Sequence, residues 1–128
     1  MAGLKTGAPT PEALTLHGQS RALEISFSDG QTFRIPFELM RVYSPSAEVQ
    51  GHGPGQETLQ LNKQNVEIEK LNPMGNYAIS IHFSDGHTTG IYSWSYLHHL
   101  CIDKDELWLD YSNRVTNSSK NNYHKVEI

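Results

Sequence analysis

The side chains best equipped for chemistry are His52, His82, His87, His98, His99 and Cys101. Imidazole and thiolate are donors that suit zinc or iron, and a thiol near an imidazole is also the raw material of a cysteine nucleophile. The spacing supports neither chemistry well. His98 and His99, adjacent on a helix, project about 100 degrees apart, so at most one joins a given site. His82 lies between Ile81 and Phe83 and therefore falls on the outer face of an alternating strand. Cys101 shares one short helical segment with both histidines and has no oxyanion motif beside it, so it reads as a small buried hydrophobe. A cluster of His87 with His52 or Cys101 requires the glycine-rich stretch around His52 to fold back onto the second half of the chain. That stretch, "GHGPGQ", lacks the Lys-Ser/Thr of a phosphate loop. "DKDELW" lacks the glycine and spacing of a calcium loop, and its acids suit a helix N-terminus instead.

The elements that must position these residues come in two copies. "ALEISFSDGQTFRI" from Ala22 and "AISIHFSDGHTTGI" from Ala78 align at a constant offset and share Phe-Ser-Asp-Gly, the Thr two residues on and the closing Ile. In each copy alternating apolar residues (Leu23, Ile25, Phe27; Ile79, Ile81, Phe83) predict a strand with one buried face, and Asp-Gly predicts a tight two-residue hairpin turn. A short apolar, helix-compatible segment follows each hairpin: "FELMRVYS" after Pro36, and "SWSYLHHLC", for which Ser93 or Ser95 is placed to cap the start. Turn chemistry alone explains Asp-Gly, but not the flanking Phe-Ser, the Thr or the helix, so the unit reads as an internal duplication. The expected fold class is α+β: a small mixed or antiparallel sheet built from two strand-turn-strand-helix repeats, with short helices packed on it.

Around these units, residues 1–13 read as a flexible lead-in broken by Gly and Pro, and order is expected from about Leu14. The stretch from Pro45 to about Gln64 reads as a long polar loop, a length that is uncommon in a compact domain and often functional. Val66, Ile68 and Leu71 suggest a further strand ending in a turn at "NPMGN". "DKDELWLDYSNRV" suggests a short last helix with Leu107, Trp108 and Tyr111 inward, and residues 113–128 read as a polar, disordered tail.

The chain has 128 residues, a formal charge of −4 and one cysteine. That suits one domain spanning residues 14–112, with no internal disulfide and no four-cysteine zinc site. Lys and Arg are scattered, which argues against a nucleic-acid partner. No apolar run approaches the roughly 20 residues of a membrane span, and the first residues lack an apolar signal core. The expected location is the cytoplasm, as a monomer.

The stretches "YAISIHFSDGHTTGIYSWSYL" and "LMRVYSPSAEVQGHGPGQ" resemble the domain that precedes the catalytic core of gamma-butyrobetaine hydroxylase, which also occurs as small free-standing proteins of unknown function. They are also similar to a module appended to some Mrp-type ATPases that carry iron-sulfur clusters. The resemblance covers roughly residues 14–112. It implies a structural zinc held by three cysteines after a Leu-Arg pair and by the histidine of the second hairpin. Ser44, Ser46 and Val49 stand here where the thiolates would be, and only His87 remains. Serine hydroxyls stay protonated and bind zinc weakly, and valine offers nothing, so the family zinc is expected to be lost and no cofactor is expected. The hydroxylase's catalytic domain has no counterpart in the sequence, so oxygenase activity is not carried over.

The expected role is a non-catalytic accessory or protein-binding domain with an unidentified protein partner. Its candidate surface is Arg41, Ser44, Ser46, Glu48, His52, Asp85, His87 and Trp94, with a hydrogen bond from Ser44, Ser46 or a loop carbonyl to His87 in place of metal. The alternative is a metal-binding or redox accessory protein, linked to iron-sulfur cluster handling and using His87 with His52 or Cys101.

Overall fold

A computed structural model describes residues 8–51 and 58–121. The first repeat is a meander of three antiparallel strands, β1 (Pro11–His17), β2 (Ala22–Phe27) and β3 (Thr32–Pro36), running into helix α1 (Phe37–Val42). After a four-residue helix α2 (Ala47–Gln50), the second repeat forms β4 (Ile68–Met74), β5 (Ala78–Phe83) and β6 (Gly90–Ser93), followed by α3 (Trp94–Ile102) and α4 (Lys104–Asn121). The class is α+β, and all strand pairing is antiparallel, divided into two three-stranded sheets. β1 and β4 add a leading strand to each repeat unit.

The repeated Phe-Ser-Asp-Gly has one structural meaning in both copies. Phe27 and Phe83 are each 1% exposed and anchor their strands in the core. Ser28 and Ser84 each donate a backbone N–H to the preceding strand, to Thr10 and Glu67 carbonyls at 2.8 Å. Their Oγ atoms accept the backbone N–H of those same two residues, at 3.2 and 2.9 Å. Asp29 and Asp85 accept the backbone N–H two residues on, from Gln31 and His87. Gly30 and Gly86 both have φ of 87°, and each donates its N–H to the Phe carbonyl three residues back. Among the described residues neither Asp has positive φ, so the turn is not the tight two-residue Asp-Gly type expected from sequence. It is a three-residue turn in which glycine supplies the single left-handed position.

One core joins the halves, from Leu23, Ile25 and Phe27 through Phe37, Leu39 and Met40 to Ile79, Ile81, Tyr92 and Leu97. Several boundaries differ from the sequence reading. β1 begins at Pro11, whose missing N–H costs nothing at the first residue of an edge strand. β4 continues through Pro73 to Met74, again as an edge strand, so the turn falls at Gly75-Asn76-Tyr77. The long loop contains α2. The helix after Asp103 reaches Asn121, where the sequence suggested a disordered tail from residue 113. Tertiary contacts order it: Tyr111 Oη donates to Glu38 Oε2 at 2.7 Å, and Arg114 Nη2 donates to Tyr43 Oη at 3.3 Å. Trp108, expected inward, is 38% exposed. Among the described residues no helix is long and apolar enough to cross a membrane.

Candidate functional site

The second hairpin meets the segment after α1 in a buried polar seam. The three-residue turn leads directly into His87, whose side chain is 3% exposed. α1 ends at Val42, and the chain then carries Ser44, fully buried, and Ser46, 6% exposed, to the same imidazole. His87 Nε2 lies 2.8 Å from Ser44 Oγ and 3.3 Å from Ser46 Oγ, and its Nδ1 lies 3.3 Å from Glu48 Oε2. Ser46 occupies the N-cap of α2 but makes no side-chain cap; its hydroxyl is turned to His87 instead. In the neutral ring Nδ1–H donates to the Glu48 carboxylate, and Nε2 accepts from Ser44 Oγ, the nearer of the two hydroxyls.

Beside this network is a charged one. Arg41, 6% exposed, donates from Nε to Asp85 Oδ2 at 2.9 Å, and Lys63 Nζ donates to the same oxygen at 2.7 Å. Burial raises the Asp85 carboxyl, but the hydrogen bonds from Lys63, the His87 backbone N–H and Arg41 outweigh it and take the pKa to about 2. Burial, then the Arg41 guanidinium, lowers the pKa of His87 against the opposing pull of Glu48 and Asp85. Arg41 Nη1 is buried and has no hydrogen-bond partner among the described residues.

Two further residues make the seam fit. A Cβ on Gly90 would lie 2.5 Å from Ser44 Oγ, so only glycine lets β6 approach this closely. Tyr92 Oη donates to the Met40 carbonyl at 2.7 Å, and burial raises its pKa further than any other influence on it. Sequence reasoning missed Gly90, Tyr92 and Lys63. The repeat alignment held the signal for Gly90, since the first copy has Arg34 at that position.

Arg41, Ser44, Ser46, Glu48, Asp85 and His87 are thus brought together. His52 lies outside the described residues. Trp94 is elsewhere: its Nε1 donates to the Asn76 carbonyl at 2.6 Å and closes the β4–β5 turn. Cys101 packs in the core, where burial pushes its thiol up to about 12, far from the thiolate a nucleophile needs. His98 stacks edge-on against Phe27, His99 Nδ1 lies 2.7 Å from Asp103 Oδ2, and His82 Nε2 is 3.2 Å from Asn72 Nδ2. Among the described residues no group of three or more His, Cys, Asp or Glu is placed to hold a metal ion. The donors that do converge, one imidazole already hydrogen-bonded to two hydroxyls, with Val49 apolar and buried, do not fit the zinc that the resemblance implies.

Fold and seam together define a small antiparallel α+β domain with a twice-used hairpin-helix unit. The family described as gamma-butyrobetaine hydroxylase-like, N-terminal, matches residues 14–98, and the chain belongs to that family. Two proteins solved by NMR in solution are similar over most of both chains. One is 45% identical with a TM-score of 0.78, covering 91% of this chain and 86% of the other. The second is 38% identical with a TM-score of 0.76, covering 95% and 98%. A crystal structure from Acidithiobacillus ferrooxidans, of a protein with unknown function in the DUF971 family, is 37% identical with a TM-score of 0.58, covering 71% of this chain and 91% of that one. None of the curated proteins compared with the chain matches it.

Proposed function

We propose that this chain is a non-catalytic accessory domain that binds a protein partner, with its working surface along the seam between residues 44–50 and the Asp85-Gly86-His87 hairpin. The observation that carries the reading is the pair of hydroxyls on His87 Nε2, at 2.8 and 3.3 Å. Hydrogen bonds join the two segments at the imidazole where the resemblance would place a metal. Chemistry needs an accessible nucleophile or base, and here the imidazole and Ser44 are buried and mutually satisfied. Above them Glu48, with a side chain 66% exposed, and the Lys63–Asp85 pair present charge to a partner.

Two measurements test this. Elemental analysis of protein purified without a chelating tag is expected to find folded, metal-free chain. Stoichiometric zinc or iron that disappears in His87→Ala would overturn the reading. Affinity capture from native extract is expected to retain a partner with the unaltered chain and lose it with Glu48→Arg in protein verified as folded, since this substitution also removes the carboxylate beside His87 Nδ1. A captured set indifferent to Glu48→Arg and to Lys63→Glu removes the seam as the binding surface.

A further inference from the structure

Beside the seam, on the far side of α2, lies a cleft of about 850 Å³ walled by α2, α3 and α4. Small-molecule pockets commonly have this size, an apolar wall and a few convergent polar groups. The apolar wall is Val42, Val49, Leu59 and Leu107, and the rings of Tyr43 and Tyr96 also line it. The polar lining includes Gln50, His99 and Arg114, together with one carboxylate, Asp110.

Arg114 is the feature that asks for a ligand. Its guanidinium lies 5.7 Å from the centre of the Tyr43 ring and is fixed by the Nη2 bond to Tyr43 Oη. Its Nε is buried and, among the described residues, makes no hydrogen bond: Asp110 Oδ2 stands 3.2 Å away at ion-pair distance but without the alignment a hydrogen bond needs. A buried guanidinium N–H without an acceptor is an unmet demand. Asp110, whose side chain is 59% exposed, also accepts the Tyr43 hydroxyl at 3.0 Å and is the carboxylate that a ligand must displace from the guanidinium. His99 also lines the cleft, and its Nδ1 lies 2.7 Å from Asp103 Oδ2.

We propose that this cleft binds a small organic acid, a carboxylate on an apolar or aromatic body. The planar carboxylate matches the guanidinium fork of Arg114 and supplies the acceptor that Nε lacks. The body lies against Val49, Leu59 and the tyrosine rings. A phosphate has the charge but not the apolar body, so it binds less well.

The test is a chemical-shift titration of the isotope-labelled full chain with benzoate, phenylacetate, inorganic phosphate and the neutral isostere benzamide. Both carboxylates are expected to give saturable shifts at Val49 to Gly51 and Thr58 to Gln60, with benzamide and phosphate weaker by about tenfold or more. Arg114→Gln is expected to weaken the carboxylates by about tenfold, and Arg114→Lys to lose most of the preference over benzamide. Should Arg114→Gln unfold, Leu59→Trp, which fills the apolar side, is expected to abolish the shifts. Absence of saturable shifts with either carboxylate, equal binding of benzamide or phosphate, or undiminished binding in Arg114→Gln and Leu59→Trp overturns the proposal.

Discussion

Protonating His87 puts a second cation beside Arg41 in a site from which water is largely excluded, and burial also disfavours the charged ring. Its folded-state pKa therefore lies below the ordinary value of 6.5, and the unfolded chain takes the proton first. The stability this provides is complete above 6.5 and is lost as pH falls through the folded value. Asp85 acts in the same direction at lower pH: its contribution is complete above 3.8 and disappears as pH falls through about 2. Urea unfolding followed against pH should show both declines. His87→Gln, which copies the residue of the first hairpin, should flatten the upper decline and leave the lower. An upper decline of unchanged size in that variant contradicts the assignment. Gly90→Ala tests the close approach, since its Cβ meets Ser44 Oγ at 2.5 Å. A cost of about 1 to 3 kcal/mol is expected in denaturant melts, with the Gly90→Ala, Ser44→Ala double variant losing clearly less than the sum of the singles.

The hairpins were legible in sequence because three signals agree there: alternation, a glycine at the left-handed position, and repetition. His87 stood out for the same reason, as the position where otherwise matching copies diverge. α4 was not legible past residue 112 because its outer half is polar and has little apolar period to detect. Its order comes from long-range bonds made by Tyr111 and Arg114, which no local pattern encodes. Tyr111→Phe keeps the buried ring but removes the donor to Glu38, whose carboxylate then loses a charge-assisted bond. A loss of about 1 to 2 kcal/mol is expected, together with faster amide exchange in the part of α4 beyond Tyr111. Unaltered exchange there means that the helix stands without this tie. Lys63 escaped detection for a related reason, since its partner Asp85 is 22 positions away in the chain.

At the scale of the molecule, the seam is where the two repeats are joined. Arg41 from the helix of the first unit, and Ser44 and Ser46 just after it, meet the turn of the second, Asp85 and His87, while the Tyr92 hydroxyl returns to Met40. At this joint donors from both units converge on one imidazole, the same convergence that a bound metal would require. Ser44 and Ser46 already do so, and Val49 sits on α2 within the turn that follows Ser46. Replacing Ser44, Ser46 and Val49 by cysteine therefore adds thiols, the donors zinc prefers, to the segment that meets His87. The triple variant Ser44→Cys, Ser46→Cys, Val49→Cys should take up zinc in stoichiometric amount and give the tetrahedral thiolate spectrum on cobalt substitution. It should also melt higher with metal than after chelation, whereas the unaltered chain should show none of the three. If the triple variant folds but takes up no metal, or holds it equally well after His87→Ala, the seam is not a metal site with its thiolates exchanged, and its hydrogen bonds have a separate origin.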